Sequence, residues 1–490
     1  MSTLDRRSFL TRGAAAAGTA AVGTTMFQTL NNAAGAAPPA PSHAGPKGRK
    51  GDGGYGALAR VADQNGDEIL ALPAGFEYVT FSKIGDIMTD GTPVPVAHDG
   101  MAAFKGHRNT TLLIRNHEVR TGPGSVEGSA QAPADRKYDP LGVGGNVSLL
   151  FDSRRGRLER HFVSFAGSIV TCAGGVAFRD VGWIASEETV AGPNQGWGQR
   201  HGYNFLVRTS AAGPEKSPPL NAMGRFAHEA VATDPRSGFV YQTEDDGNDS
   251  GFYRFRPRDP RDLTRGGRLE MLAVKGEPAR QMITGQEAGR SLRVEWVRID
   301  DADPDLEAGA TAVALQGIAK GGALFNRLEG IWYDQRSGGF YFNSTSGGDA
   351  ACGQVWHYDP RWERLTLFFE SPGGSVLDSP DNLLVTPRGG ILLCEDDATG
   401  TDDDTHPLAP GVVDVNRLIG INRRGEAFEF AVNVLNDSEF AGATFSHDSE
   451  FAGATFSHDG AVLFVNLLGD GSPGSGMTCA ITGPWRRGAL

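Results

Sequence analysis

Several features that are common in other protein classes are scarce in this sequence. Four cysteines among 490 residues are too few for a dense disulfide framework. Lysine and arginine number 46 against 59 aspartates and glutamates, which gives a formal net charge of −13. This balance excludes non-specific nucleic-acid binding, which depends on clustered cationic side chains, and it suits a protein that gathers cations. A sustained apolar stripe of helical period is also lacking after residue 57, so an α-helical domain is not expected.

The N-terminus carries the features of an export signal. The stretch LDRRSFLTRG (4–13) contains paired arginines, a mildly apolar segment follows at 13–27, and AGA at 34–36 is a small-residue cleavage site. These features predict a signal peptide over residues 1–36 that is recognised by the twin-arginine export machinery, and a periplasmic or extracellular location in a bacterium. The apolar segment is too short to remain as a stable membrane anchor. The alternative is a frayed helical tail.

Composition then divides the rest of the chain into a linker and one domain. Residues 37–56 are rich in Pro, Gly and Lys and show no apolar period, which predicts a flexible linker. From residue 57 to 490, short alternating runs repeatedly flank a turn that contains Gly or Asp, as in TDPRSGFVYQT and YDQRSGGFYFN. Many antiparallel hairpins in one long chain are typical of a β-propeller. We therefore predict an all-β fold with a single propeller domain.

Three of these hairpins share a finer spacing. Their first strands begin at His228, Leu328 and Pro380. The second position of each is acidic, a turn glycine follows nine residues later, and a polar residue closes the second strand: Glu229, Gly238 and Glu244; Glu329, Gly338 and Asn343; Asp381, Gly390 and Glu395. The two ends of a hairpin lie side by side, and the first strand of a propeller blade lines the central channel. The acids are therefore expected to converge at one mouth of that channel.

Two further segments fit this spacing loosely. Residues 171–188 begin with Thr-Cys and end in Glu-Glu, and residues 112–118 end in Asn-His-Glu. They add four candidates at strand ends: Cys172, Glu188, Asn116 and Glu118. Any single acid at a strand end is more simply a solvated charge. The same position filled in blade after blade instead indicates bound cations, because crowded carboxylates repel one another.

The residue types suggest the chemistry of such a cluster. Carboxylate and amide oxygens suit hard cations, above all calcium, whereas the Cys172 thiolate suits iron or zinc. The alternative for Cys172 is a small buried apolar residue. Arg327 stands two residues before Glu329 and provides a bidentate clamp for phosphate, or else a charge-balancing salt bridge. Cations, an arginine and a metal-activated water together describe phosphoester hydrolysis.

Longer stretches then show a family resemblance. They are TCAGG (171–175), GRFAHEAVATDPRSGFVYQTEDDGNDSGFYRF (224–255), NRLEG (326–330), PDNLLVTPRGG (380–390), and the C-terminal FAGATFSHDGAVLFVN and ITGPW. Over residues 60–485 the chain resembles the PhoX-type alkaline phosphatases. The resemblance implies a twin-arginine-exported, six-bladed propeller that holds Fe3+ and Ca2+. Departures at Thr171, at 185–187 and at Leu328 concern exact metal occupancy and substrate preference, including a preference for phosphodiesters, more than the fold.

The resemblance also implies roles for the candidate residues. Cys172 corresponds to the iron thiolate ligand, Glu188, Glu229 or Glu244, and Glu329 to carboxylate ligands, and Arg327 to the residue that holds phosphate. Arg327 and Glu329 are thus the predicted catalytic residues, and Arg327 and Asn116 the predicted substrate-binding ones. The full predicted metal-ligand set is Cys172, Glu118, Glu188, Glu229, Glu244, Glu329, Asp381, Glu395 and Glu450.

An eleven-residue segment occurs twice near the C-terminus. Residues 438–448 are repeated letter for letter as 449–459. One blade strand cannot hold both copies, because a shift of eleven residues exchanges the faces of the strand. We predict that Glu450, in the second copy, takes the channel position and that 437–448 forms a surface loop.

The remaining cysteines leave two possibilities. Cys352, Cys394 and Cys479 either contribute one disulfide or stay as buried thiols, and buried thiols are the prediction.

Together these features predict an exported, calcium- and iron-dependent phosphomonoesterase that hydrolyses phosphate esters as a monomer, without nucleic acid or a membrane anchor. One alternative is a calcium-dependent lactonase or esterase propeller, which has no use for a thiolate. The other is a non-catalytic, calcium-stabilised binding propeller. Hydrolysis of p-nitrophenyl phosphate that calcium chelation abolishes would separate the phosphatase from the lactonase.

Overall fold

Alternating apolar and polar residues fold into short antiparallel strands, as their period of two predicts. The computed structural model describes residues 53–396, 405–412, 415–435 and 451–490. These residues contain 26 strands, one α-helix, α1 (Val313–Ile318), and single 3-10 turns at Ala134–Arg136, Phe178–Asp180, Pro193–Gln195, Asn221–Met223, Gly247–Asp249, Leu263–Arg265, Leu306–Ala308 and Trp485–Arg487. The strands are β1 (Leu58–Ala62), β2 (Glu68–Pro73), β3 (Glu77–Phe81), β4 (His98–Lys105), β5 (Thr110–His117), β6 (Gly144–Asp152), β7 (Arg157–Ser168), β8 (Thr171–Val176), β9 (Gly182–Glu187), β10 (Asn204–Arg208), β11 (His228–Thr233), β12 (Val240–Glu244), β13 (Phe252–Pro257), β14 (Gly267–Val274), β15 (Ser291–Arg298), β16 (Leu328–Asp334), β17 (Gly339–Ser344), β18 (Gln354–Asp359), β19 (Arg364–Glu370), β20 (Pro380–Val385), β21 (Ile391–Glu395), β22 (Arg417–Ile421), β23 (Ala427–Asn433), β24 (Phe451–Phe456), β25 (Val462–Leu467) and β26 (Met477–Thr482).

Asp and Gly at fixed positions shape the tight turns between strands. The Asp234 carboxylate accepts a hydrogen bond from the amide two residues later (2.9 Å). Gly238 and Gly338 both have φ of +72°, a left-handed conformation that glycine adopts without steric cost. In the third predicted hairpin Gly389, with φ of +83°, takes this role instead of the expected Gly390.

Six sheet units surround a central axis. These blades are β4–β7 (blade one), β8–β10 (two), β11–β14 (three), β16–β19 (four), β20–β23 (five) and β24–β26 with β3 (six). The first strands, β4, β8, β11, β16, β20 and β24, contact one another in this order, and β24 contacts β4, which closes the ring. The predicted all-β, six-bladed propeller is confirmed, with the first strand of each blade on the axis.

Some blades carry additional strands. Strand β15 pairs with β14 and β19, so that blades three and four share one nine-stranded sheet. Strands β2 and β1 extend the outer edge of blade five through β23. These pairings cover strand edges that would otherwise remain free to pair with another chain.

The two ends of the domain are joined in blade six. Strand β3, near the start of the domain, pairs with β26 from Thr478↔Phe81 to Thr482↔Glu77. Tyr55 lies inside the predicted linker, yet it is buried and its hydroxyl donates to the carbonyl of Trp485 (3.1 Å). Packing therefore begins slightly before the predicted boundary at residue 57.

Apolar side chains fill the spaces between adjacent blades. Phe252 of blade three and Phe342 of blade four stack with ring centroids 4.3 Å apart. Phe81 and Phe464 of blade six both contact Phe151 of blade one, at centroid distances of 4.9 and 5.3 Å. Burial of such rings holds the blades at fixed angles around the axis.

The cysteines form no disulfide. Cys394 and Cys479 are buried thiols, as predicted, whereas Cys352 is partly exposed. No helix in the described ranges combines the length and apolar character needed to cross a membrane. The signal peptide (1–36), the predicted loop (437–448) and Glu450 lie outside the described residues.

Candidate metal centre

The same irregularity occurs near the start of all six axial strands. A β-bulge shifts the register with the second strand of the blade, beginning at His98, Thr171, His228, Leu328, Pro380 and Ala452. A bulge inserts an extra residue and re-aims the side chains around it. The residues that follow directly, here called the inner ring, are Asp99, Cys172, Glu229, Glu329, Asp381 and Gly453.

A second set of side chains follows the outgoing strands of five blades. In each, a backbone amide donates to the carbonyl just before the axial strand, at 2.9–3.1 Å. The residues that donate, here called the outer ring, are Glu118, Glu188, Asp245, Thr345 and Asp396. The residues that accept are Ala97, Val170, Ala227, Arg327 and Ser379.

Small residues allow the axial strands to approach closely. A Cβ on Gly100 would lie 2.5 Å from the Cα of Ala173, and one on Gly330 would lie 2.5 Å from the amide nitrogen of Leu383. Both distances are far below van der Waals contact. Glycine after the inner-ring position thus brings side chains of neighbouring blades within reach of common ions.

Three overlapping groups of inner- and outer-ring side chains can each hold a cation. They are Asp99, Glu118 and Cys172; Cys172, Glu188 and Glu229; and Glu229, Glu329 and Asp381. Within each group the ligand atoms lie within 4.8 Å of one another, and every member is buried. Because Cys172 and Glu229 each belong to two groups, the three form one continuous centre.

The charges of this centre are not balanced within it. Burial, and then the charge of Asp381, raises the pKa of both Glu229 and Glu329 well above the usual value. Burial also raises the pKa of Asp99 and of the Cys172 thiol, with Glu118 and Asp99 respectively adding to the effect. Such groups resist ionisation because buried negative charges repel one another.

The donor atoms fit metal ions. The Cys172 thiol lies 3.1 Å from Oε1 of Glu229, and Oε2 of Glu229 has no hydrogen-bond partner in the described part of the chain. A buried carboxylate oxygen in this state is costly unless a cation or donor satisfies it. Carboxylates suit hard cations, and the thiolate adds a ligand that iron or zinc accepts.

Two arginines lie at the edge of the centre. Arg327 Nη2 is 2.6 Å from Oε1 of Glu329, and its Nε is 3.3 Å from Oδ2 of Asp245. Arg120 Nη2 is 2.6 Å from Oε2 of Glu188 and also contacts Glu118. Both guanidinium groups are therefore held by carboxylates of the two rings.

Two predicted ligands face away from the centre. The Glu244 carboxylate accepts hydrogen bonds from the Tyr253 hydroxyl (2.5 Å) and the Gly251 amide (3.1 Å). Glu395 forms a bidentate ion pair with Arg417, with both distances 2.7 Å. Each precedes an outer-ring residue by one position, and successive strand side chains point to opposite faces. Asp245 and Asp396 occupy the outer-ring positions instead of Glu244 and Glu395.

Asn116 and Asn343 donate hydrogen bonds to the backbone of neighbouring axial strands. Asn116 is fully buried, and its Nδ2 donates to the carbonyls of Cys172 (2.8 Å) and Ala173 (2.5 Å). Asn343 Nδ2 donates to the carbonyl of Pro380 (2.6 Å). In this structure Asn116 fixes the backbone that carries Cys172, and its substrate-binding role stays a prediction.

Glu450 lies outside the described residues, and the register of β24 places a different residue at its predicted position. The bulge in this strand begins at Ala452, so Gly453 is the inner-ring member of blade six. The ring thus has five side chains that can ligate a cation and one glycine.

Asp99, Asp245, Asp396 and Arg120 were missed in the sequence. For Asp99 a signal existed, since His-Asp-Gly at 98–100 parallels His-Glu-Ala at 228–230. The hairpin pattern has a glycine nine residues after the acid. In this hairpin that turn position is occupied by Arg108, with φ of +58°, so the pattern was not recognised.

A closed propeller with candidate cation-binding groups on its axis and arginines beside them has the arrangement expected of a metal-dependent hydrolase of the propeller class. The sequence model of the family described as alkaline phosphatase PhoX matches residues 53–471. The chain therefore belongs to the PhoX alkaline phosphatase family, and it is a phosphomonoesterase. The predicted family and activity are confirmed.

The chain is also similar to several solved structures. Pseudomonas fluorescens PhoX in complex with vanadate, a transition state analogue, is 17% identical, covers 88% of this chain and 98% of its own, and has a TM-score of 0.61. A protein of unknown function from Dyadobacter fermentans is 9% identical (84% and 100% covered, TM-score 0.44). A Xanthomonas campestris gluconolactonase is 12% identical (92% and 99% covered, TM-score 0.38). No curated protein sequence matches this chain.

Proposed function

We propose that this phosphatase is exported through the twin-arginine pathway and works with iron and calcium bound in the three overlapping groups. The observation that carries the proposal is the sharing of Cys172 and Glu229 between groups, because it provides adjacent ion positions of different chemistry. The group of Glu229, Glu329 and Asp381 contains only carboxylates and suits calcium. The two groups that contain Cys172 suit iron.

Arg327 is the proposed phosphate-binding residue. Its carboxylate partners Glu329 and Asp245 fix the guanidinium at 2.6 and 3.3 Å. A guanidinium held in this way is pre-organised to donate two parallel hydrogen bonds to phosphoryl oxygens. The side chain is 16% exposed, so part of it remains accessible from solvent.

Glu329 has two proposed tasks in the reaction. One carboxylate oxygen orients Arg327, and the carboxylate belongs to the all-oxygen ion group. When bound, the metals supply Lewis acidity toward phosphoryl oxygens and lower the pKa of bound water. The protein residues keep the phosphoryl group against the centre, and Arg327 stabilises the negative charge that develops on its oxygens.

Export of a folded protein agrees with this proposal. The predicted signal at residues 1–36 belongs to a pathway for folded proteins, and a buried centre made from five blades exists only after folding. Metals are then loaded before export.

Elemental analysis of the folded, exported protein tests the metal assignment. We expect both iron and calcium, a visible thiolate-to-iron charge-transfer band, and p-nitrophenyl phosphate hydrolysis that calcium chelation abolishes. Cys172→Ser should remove the band, whereas Cys352→Ser, at a partly exposed thiol outside the centre, should retain it. Protein that is active without iron, or a band that survives in Cys172→Ser, would show that the assignment is wrong.

A further inference from the structure

Arg120 is the second arginine at the edge of the centre. It lies just after β5, two residues beyond Glu118. Its Nη2 hydrogen-bonds to Oε2 of Glu188 at 2.6 Å and to Oε1 of Glu118. The side chain is 26% exposed, compared with 16% for Arg327. Arg120 is thus anchored at the centre and still reachable from solvent.

The two arginines stand on different sides of the ring. Arg120 joins carboxylates of blades one and two, whereas Arg327 contacts Asp245, Glu329 and Asp396 of blades three, four and five. Arg120 contacts Glu188 of one ion group, and Glu229 of that group is shared with the group of Glu329, which contacts Arg327. A phosphoryl group seated over these two groups has a guanidinium on either side.

We propose that Arg120 is a substrate-binding residue that makes the enzyme prefer phosphate monoesters to diesters; this rests on the phosphate-binding role proposed for Arg327. A monoester has three terminal oxygens on phosphorus and a diester has two. With Arg327 engaging terminal oxygens on the side of blades three to five, the remaining terminal oxygen of a monoester is left to Arg120.

A diester presents a second ester group at this position. An ester oxygen is a weaker acceptor than an ionised terminal oxygen, and the ester group shields the guanidinium from water. Arg120 keeps its contacts with Glu118 and Glu188 in either case, but only the monoester adds an ionised acceptor, and sites built around such a hydrogen bond reject ligands that lack it. Arg120 therefore favours the monoester over the diester by adding a contact that the diester does not make.

The surrounding carboxylates make this discrimination possible. Glu118 and Glu188 are both buried, and both contact Nη2. Contact with two carboxylates limits the motion of a long side chain before substrate binds, which reduces the entropy lost on binding.

The test compares two substrates in metal-loaded enzyme. For Arg120→Gln and Arg120→Lys, kcat/KM is measured with p-nitrophenyl phosphate and with bis(p-nitrophenyl) phosphate, together with inhibition by inorganic phosphate and the metal content. In Arg120→Gln we expect monoester kcat/KM to fall about 100-fold, the cost of removing one such donor, and diester kcat/KM to change far less. Phosphate inhibition should weaken in parallel. Arg120→Lys keeps the charge and should fall between Arg120→Gln and the wild type.

A matched control is Arg136→Ala, which removes an exposed arginine whose ion-pair partner is its neighbour Asp135, at 4.0 Å. It should leave both rates unchanged. Equal losses for the two substrates, or loss of metal from both Arg120 variants, would overturn the inference and assign Arg120 to charge balance. If the metal-loaded wild type hydrolyses neither ester, the proposed function itself fails. Wild-type activity with an unchanged monoester-to-diester ratio in Arg120→Gln refutes only the present inference.

Discussion

Among single residues, Arg327 combines a left-handed backbone conformation with a cationic side chain at the edge of the centre. Four of the residues that precede axial strands have positive φ without being glycine: Ala97 (+53°), Val170 (+47°), Arg327 (+42°) and Ser379 (+38°). Such conformations cost on the order of 1–3 kcal/mol each and persist where the surrounding structure enforces them. Here the hydrogen bond from the next outgoing strand enforces them. Among the blades whose preceding residue the structure describes, blade four alone presents a cation here.

Arg327→Ala tests the phosphate-binding role of the guanidinium. Loss of the guanidinium should weaken inhibition by inorganic phosphate about 10- to 100-fold, because a charge-assisted bidentate contact contributes roughly 1.5–3 kcal/mol. The inhibition constant is measured from initial rates with p-nitrophenyl phosphate. Arg336→Ala is the control, since Arg336 Nη2 donates to the carbonyl of Pro387 (2.9 Å) in a turn at the opposite end of the blade. An unchanged inhibition constant in Arg327→Ala would remove Arg327 from the site.

At the element scale, the distance between axial strands decides whether ligands from different blades converge. In Gly330→Ala the new Cβ would lie 2.5 Å from the amide nitrogen of Leu383 and 2.6 Å from the carbonyl oxygen of Asp381. Relief requires blades four and five to separate, which we expect to cost about 1–3 kcal/mol of folding free energy. The variant should therefore bind less calcium and unfold at a lower temperature.

Gly213→Ala is the matched control for this change. A Cβ on Gly213 has no neighbour within 4 Å, so both stability and metal content should stay at the wild-type level. Calcium content by elemental analysis and thermal unfolding by circular dichroism are measured for both variants. Full calcium content in Gly330→Ala would show that close strand approach is not what assembles the centre.

Strand register also determines how much of the centre can be predicted from the sequence. Turn residues fixed the hairpins, and the start of an axial strand was identified from its acid, which is why Glu229, Glu329 and Asp381 were predicted together. On the outgoing strands the prediction erred by one residue, choosing Glu244 and Glu395 over Asp245 and Asp396. Side chains alternate between faces, and a bulge in the partner strand leaves no compositional mark. Only the observed pairing shows which neighbour turns inward.

A buried histidine connects loops behind blade two. His201 Nδ1 lies 2.6 Å from Oε1 of Glu187, and Nε2 lies 3.2 Å from Oδ2 of Asp139. Both ring nitrogens can donate only when the ring is protonated. Burial disfavours the charged ring, but the charges of Glu187 and Asp139 outweigh it and raise the pKa of His201 from 6.5 to about 9. The imidazolium thus holds Glu187, the residue next to Glu188.

The pH dependence of stability tests this arrangement. A raised folded-state pKa stabilises the protein fully below pH 6.5, and the contribution declines as pH rises through about 9. Its full size is on the order of 3 kcal/mol. The free energy of unfolding is measured by denaturant titration between pH 6 and pH 10 for the wild type and His201→Gln. The difference between them should shrink toward pH 10. A difference that is constant across this range would mean that His201 contributes by packing alone.

In the molecule as a whole, repulsion among the buried acids of the centre counteracts the stabilisation that comes from the packing around it. Six blades are joined by apolar contacts and by the pairing of β3 with β26, and this closure forces negative side chains from five blades together. Without cations, the raised pKa values of Asp99, Glu229 and Glu329 mean that the folded state retains protons that the unfolded state releases. The metal-free protein should consequently lose stability as pH rises from about 4.5, the ordinary glutamate pKa.

Bound metals should reverse this trend, because they require deprotonated ligands and so bind more tightly at higher pH. Each ion at a free concentration of about 100 times its Kd adds about 2.7 kcal/mol of stability. Melting temperatures of metal-loaded and chelated protein, compared at several pH values between 6 and 9, should therefore diverge as pH rises. Glu229→Gln, which removes the carboxylate shared by two ion groups, should stabilise the chelated protein at pH 9 and reduce the gain on adding metals. Melting temperatures that differ by the same amount at every pH would mean that the carboxylates of the ring are not what binds the ions, since a site without titrating ligands has no reason to strengthen with pH.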